Sequence, residues 1–147
     1  MIQLVDVTKD NYLDCLKLEL AEDQQENVAS NAATIAQSKF ESHYRLRAIT
    51  CDLKVVGMLA FCFEEQQYWL FRLMIDKSWQ GQGIAAKAIG LLLVELGKEG
   101  APALQTMHKP SNVAAAKLYQ RLGFVAVGVM DDGDIQLELR LNGLQAT

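Results

Sequence analysis

The chain has little in it that would divide or cross-link it. Only two prolines occur in 147 residues, Pro102 and Pro110, and both fall between patterned segments. No repeat or low-complexity tract is present, so one compact unit is expected, a single domain over residues 1–147. Cysteine is scarce as well. Cys15, Cys51 and Cys62 are odd in number and lack Cys-x-x-Cys spacing, which supports neither a disulfide framework nor a zinc site. There is no basic excess: fourteen Lys and Arg stand against eighteen Asp and Glu, a net charge of −4. A nucleic-acid binder would carry a basic stripe, so no nucleic-acid partner is expected, while a cationic partner is favoured. No apolar run is long enough to span a bilayer. The most apolar stretch, residues 84–96, carries Lys87 and Glu95 and is too short. The first six residues have no basic or apolar leader pattern. The expectation is a cytoplasmic protein with no membrane partner.

What is present is ordinary globular material, half hydrophobic and 22% charged, enough to bury a core. Residues 2–7 alternate as a strand. Asp10 is placed to cap a helix carrying Leu13, Leu16 and Leu20 on one face. A second helix follows Ser30 and Asn31, with Ile35 and Phe40 directed inward. Residues 44–50 and 54–63 read as strands of a hairpin turned at residues 51–53. Residues 68–76 are apolar on both faces except at Arg72, as a central strand should be. A long helix runs from about Gly83 to Lys98, with Ile84, Ala88, Leu91 and Leu92 on one side. Residues 103–108 form a short strand. Ser111 is positioned to cap a helix whose Ala115, Leu118, Tyr119 and Leu122 recur at helical spacing, and Gly123 ends it. Residues 124–130 and 135–141 close the chain as a hairpin. This order predicts an α/β domain with a mixed sheet and a parallel pair at its centre.

The segment Trp79-Gln80-Gly81-Gln82-Gly83 lies between a buried strand and a helix start. Glycines permit a tight turn and close approach to the main chain. A helix's first turn offers unpaired N–H groups and partial positive charge, a combination that binds phosphate. Gln80, Gly81, Gln82, Gly83, Ile84 and Ala85 can therefore cradle a pyrophosphate, although a plain strand-to-helix turn uses the same residues. The loop lacks the Lys-Ser/Thr pair of a P-loop and the three spaced glycines of a dinucleotide fingerprint.

Gln80-Gly81-Gln82-Gly83-Ile84-Ala85 resembles the Q/R-x-x-G-x-G/A motif of the GNAT superfamily of acetyl-CoA-dependent N-acetyltransferases. Residues 112–124 resemble that family's second signature, N-x-x-A-x-x-L-Y-x-x-x-G-F, with Asn112, Ala115, Leu118, Tyr119, Gly123 and Phe124 in place. The separation of the two motifs and the order of elements also fit. More weakly, residues 25–31 and Trp69-x-x-Arg72-x-Met74-Ile75-Asp76 are similar to bacterial spermine/spermidine (diamine) acetyltransferases of that superfamily.

The resemblance implies a GNAT fold with acetyl-CoA as cosubstrate, bound where two central parallel strands splay apart. It places the acetyl and pantetheine portions against the backbone of Leu73, Met74 and Ile75, with an N–H at Ile75 as oxyanion donor. It assigns the pyrophosphate to residues 80–85 and a contact with the cofactor arm to Asn112. It makes Tyr119 the acid that protonates the departing thiolate; periodicity alone places Tyr119 in the core. A phenol of pKa about 10 must be positioned and assisted to do this. Relatives commonly carry a carboxylate before the arginine of the W-x-x-R pattern. Here Phe71 stands there, so the base is open among Glu64, Glu65, Glu22, Asp23 and His108. A homodimer is what the resemblance implies for assembly.

Glu19, Glu22 and Asp23 would share one helical face, with Glu26 beyond. In the family's architecture this region borders the acceptor, so Glu22, Asp23 and Glu26 are candidates to hold a polyamine; a solvated acidic face is the alternative. Three functions therefore stand: acetylation of a small polyamine-like amine, acetylation of a protein or peptide amine, and a catalytically weak acyl-CoA-binding module.

Overall fold

In the computed structural model, residues 1–21 and 30–141 are described. Seven strands form one mixed sheet in the order β1-β2-β3-β4-β5-β7-β6. They are β1 (Ile2–Asp6), β2 (Tyr44–Cys51), β3 (Lys54–Glu64), β4 (Gln67–Ile75), β5 (Ala103–His108), β6 (Val125–Val129) and β7 (Ile135–Arg140). The helices are α1 (Tyr12–Leu16), α2 (Asn31–Phe40), α3 (Ile84–Lys98) and α4 (Val113–Arg121). β4 and β5 are the one parallel pair among the described strands, joined through α3 as expected. None of the described helices is long and apolar enough to cross a membrane.

The larger core lies between the sheet and α3 with α4. Phe61, Leu70 and Leu104 from the strands meet Ile89, Leu92 and Leu96 of α3 and Tyr119 of α4. A smaller cluster on the opposite face joins Cys15 of α1 to Ala48 and Met58, with Ile35 of α2 packed against it. The central strands are thus covered on both sides, which explains their continuous apolar runs.

The local predictions differ from the structure in instructive places. α1 is only five residues long, its N-cap is Asn11 rather than Asp10, and Leu20 lies beyond it. Asn11 is recruited instead to the Thr8 N–H and the Asp6 carbonyl. Phe40 is 89% exposed rather than inward, because α2 ends there and buries Thr34 and part of Ile35. On α3, Ile84, Ala88, Ile89, Leu92, Leu93 and Leu96 are buried, whereas Leu91 is 37% exposed. An apolar residue outside the buried stripe of a helix is common. α4 is capped by Asn112, whose side chain accepts from the Ala115 N–H at 3.1 Å, not by Ser111. The β2–β3 turn is tighter than expected: Cys51 pairs with Lys54, leaving Asp52 and Leu53 as a two-residue turn with positive φ at both.

Two features shape β4. Its register against β3 shifts so that Ala60 faces Arg72 while Phe61 faces Leu70, which leaves Phe71 as an inserted, bulged residue. A bulge bends its strand and increases its twist. Gly57 on β3 fits against the end of β4 so closely that a Cβ would stand 2.5 Å from the Met74 carbonyl oxygen, so only glycine fits there.

Candidate active site

The parallel ladder between β4 and β5 has three pairs: Tyr68 with Leu104, Trp69 with Gln105, and Leu70 with Thr106. Beyond Leu70 the strands part, at the point where Phe71 bulges. From there β4 stays bonded to β3 and leaves its other edge open. In an antiparallel pair, successive residues alternate between facing the partner and facing away. The Asp76 N–H bonds to the Val56 carbonyl at 2.8 Å, so Ile75 and Leu73 direct their N–H and C=O groups away from β3. They face the gap that β5 has vacated.

That gap opens into a cavity of about 550 Å³. Of the candidate cofactor residues, Leu73, Met74, Ile75, Gln80, Gly81, Gly83, Ile84, Ala85 and Asn112 line it, as does Tyr119. Gln82 is exposed and is not in the lining. Trp79, Arg121 and Leu20 also contribute, and sequence reasoning did not select them. Leu20 is brought in because the Glu19 N–H bonds to the Asp76 carboxylate and the Lys77 N–H bonds to the Glu19 carbonyl. That long-range tie has no local signature.

The glycine-rich loop is held by its own side chain: Gln80 Nε2 donates to the Ile75 carbonyl at 2.9 Å. Gly81 and Gly83 both have positive φ, +79° and +75°, and a Cβ at either would meet open space. Gly83 is the N-cap of α3 and supplies no side-chain cap. The Ile84, Ala85 and Ala86 N–H groups have no acceptor inside the helix, and all three residues line the cavity.

Tyr119 is 6% exposed, with its ring 5.3 Å from that of Phe124. It is both a core residue and a wall of the cavity, so the periodicity and the motif each describe part of it. Burial raises its phenol pKa, and hydrogen bonding with Thr106 pulls it back.

The opposite face of the fork carries Phe71 against Tyr44, with ring centroids 4.5 Å apart, and the Arg72 guanidinium over the Phe71 ring. Burial lowers the Arg72 pKa. Among the candidate bases, Glu64 pairs with His43 at 3.1 Å and sits opposite Gln67. Six residues of strand separate Gln67 from Leu73, roughly 20 Å at strand rise, so Glu64 and Glu65 are remote from the open end of the fork. His108, half-buried at the end of β5, has Nδ1 2.8 Å from the Lys109 carbonyl oxygen. It lies two residues past the last ladder pair. Glu22, Asp23 and Glu26 lie outside the described residues. Glu19 is not on a helix with them and pairs instead with Lys77 at 2.7 Å. Neither buried thiol is a ready nucleophile, since burial pushes both Cys15 and Cys62 up to about 11.

Comparison with known proteins agrees with this geometry. The model of the acetyltransferase (GNAT) family matches residues 6–124. The chain is 29% identical over 141 residues to a probable spermine N(1)-acetyltransferase of Bacillus subtilis subsp. natto, covering 88% of this chain and 91% of that one. It is 31% identical over 93 residues to the ribosomal protein bS18-alanine N-acetyltransferase of Escherichia coli, covering 60% and 63%. The solved structure of the PaiA N-acetyltransferase from Thermoplasma acidophilum in complex with coenzyme A superposes with a TM-score of 0.73 at 12% identity, over 95% of this chain and 99% of that one. With a matching family model over most of its length, this chain belongs to the GNAT family of N-acetyltransferases, enzymes that use acetyl-CoA.

Proposed function

We propose that the enzyme transfers the acetyl group of acetyl-CoA directly to a primary amine of a small polyamine-like acceptor at the β4–β5 fork. The observation that carries this reading is the coincidence of three features on one cavity: the Leu73 and Ile75 N–H groups turned away from β3, the bare start of α3, and Tyr119 in the lining. A thioester carbonyl set against β4 would accept the Ile75 N–H, which faces the gap and is aimed where oxyanion charge develops. The α3 N-terminus and the backbone of residues 80–85 would receive the pyrophosphate. Tyr119 would protonate the leaving thiolate.

The amine must lose a proton before it attacks. With Phe71 bulged against Tyr44, the position before Arg72 supplies no carboxylate. His108 is the described base candidate nearest the open end of the fork, and a water-mediated route through it fits that placement. The thiols' raised pKa values favour direct attack over an acyl-cysteine intermediate.

The polyamine class is supported by the relatives named for spermine acetylation, which match over most of the chain, and by the net negative charge. A protein amine is the second reading, favoured by the shorter match to a ribosomal-protein acetyltransferase. The test is thiol release from acetyl-CoA with spermine, spermidine, putrescine, lysine and amino-terminal peptides as acceptors. Turnover confined to polyamines is the expected result. Turnover confined to peptides would replace the acceptor class, and tight acetyl-CoA binding without turnover on any amine would leave a binding module.

A further inference from the structure

The cavity at the fork crosses the sheet. Leu73 and Ile75 pack into the larger core on the α3 and α4 side. Met74, between them, turns to the opposite face. It sits across from Met58 of the smaller cluster, and its Sδ lies 3.5 Å from Asn31 Nδ2 of α2. All three line the cavity. The rest of the described lining comes from residues 79–86 and 112–122, which belong to the loop before α3, the start of α3 and α4, with one exception. That exception is Leu20, from far ahead of β4 in the chain. Its neighbours hold it there. Leu18 packs on the smaller cluster, so the segment after α1 lies on the face away from α3 and α4. The Glu19 N–H donates to Asp76 Oδ1 at 2.8 Å and the Lys77 N–H to the Glu19 carbonyl at 2.7 Å. Asp76 is itself tied to β3 through the Val56 carbonyl. The backbone at Glu19 is thus fixed beside the end of β4, and the half-buried leucine next to it is fixed as well.

We propose that Leu20 is a specificity-determining residue for the acyl donor, closing the cavity just beyond the acetyl methyl so that longer acyl-CoA donors are rejected. The inference rests on the reading that the thioester carbonyl meets the Ile75 N–H. The cofactor arm then arrives from the α3 and α4 side, along residues 80–85 and 112–122. The acyl carbons continue past the carbonyl through the fork, where Met74 and Leu20 are the lining residues on the far side. Both side chains are apolar, so this wall selects by size. Methionine is unbranched and adapts to what it meets. Leu20 is branched and stands on a tethered backbone, so it sets the limit. One methylene more or less in such a pocket changes kcat/KM by about 10- to 200-fold.

The test is a donor series of acetyl-, propionyl-, butyryl- and hexanoyl-CoA on the amine that turns over, read as kcat/KM relative to acetyl-CoA. The wild type should favour acetyl over butyryl by roughly a hundredfold or more. Leu20→Ala should raise the butyryl-to-acetyl ratio by about tenfold or more. Leu20→Val should raise it by less, and Leu20→Phe should lower the propionyl ratio further. Calorimetry reads the same ratio as Kd and needs no acceptor. Turnover confined to peptides, or none at all, would therefore replace the acceptor reading while the donor ratio still decides this proposal. A butyryl-to-acetyl ratio that stays within about twofold of wild type in Leu20→Ala overturns it, as does a wild type that takes butyryl-CoA as well as acetyl-CoA. A Leu20→Ala enzyme with a new preferred length along a series of diamines and an unmoved donor ratio also overturns it, because Leu20 would then border the acceptor.

Discussion

Helices α3 and α4 both begin at the cavity, one bare and the other capped. α3 starts at Gly83 in a left-handed conformation with no side-chain cap. α4 starts at Asn112, whose Oδ1 takes the Ala115 N–H. Folding alone favours the second arrangement, since an unsatisfied first turn forgoes about 1 kcal/mol. A bare start is useful where something else accepts those N–H groups. The helix that lacks a cap is therefore the better anion site. The capped one is fixed in place and holds Tyr119, two turns further on, against the fork. On the proposed reading, one helix would bind through its backbone and the other would act through a side chain.

That contrast predicts different kinetic signatures. The largest effect is expected at α4: Tyr119→Phe should lower kcat by about 10²- to 10⁴-fold and leave acetyl-CoA affinity nearly unchanged, measured by steady-state kinetics and calorimetry. At α3, Gly83→Val should weaken acetyl-CoA binding by roughly tenfold or more. A left-handed β-branched residue costs about 1–2 kcal/mol, and its side chain would stand in the open approach to the N–H groups. A matching loss of kcat with unchanged affinity at Gly83 would erase the distinction between the two helices.

Smaller effects sharpen it. Asn112→Ala should cost about 1 kcal/mol, seen as a fall in Tm of roughly 2–4 °C for a chain of this size, and Asn112→Asp should keep the cap. If Asn112→Ala instead raises KM for acetyl-CoA without lowering Tm, its place in the cavity lining outweighs its capping role. The smallest effect concerns Asp76, which ties the segment after α1 to the end of β4. Burial works against its charge, but hydrogen bonds from the Ser78 hydroxyl and from the Glu19 and Ser78 N–H groups prevail and hold its pKa below the usual range. A carboxyl depressed in the folded state stabilises above its unfolded pKa, and that stability is lost as pH falls through the folded value. Asp76→Asn should therefore melt below the wild type at pH 7, with the gap closing as the pH drops below about 4.

Much of the fold was legible because the signals were local. The apolar run over Lys54–Glu64 and Gln67–Ile75, the glycines at 81 and 83, and the stripe on α4 each state their own conformation. The α1 prediction failed because Leu13, Leu16 and Leu20 keep helical spacing while the chain after Leu16 is claimed by contacts with Asp76 and Lys77. Ser111 and Asn112 are both good caps, and propensity does not choose between neighbours. Thr106 reads in sequence as one polar residue in a short strand. Its buried hydroxyl donates to the Leu70 carbonyl at 2.7 Å, a partner 36 residues away that no local pattern reveals.

The sequence by itself determined the element order, the glycine-rich turn before a buried helix and the tyrosine on the last helix, because period, propensity and positive-φ demands act within a few residues. The tertiary structure alone decided where the β4–β5 ladder ends, that Phe71 is the residue squeezed out of register, and that Gly57 must lack a side chain. Those are matters of pairing and close approach between distant segments, and they take effect only when the sheet is assembled.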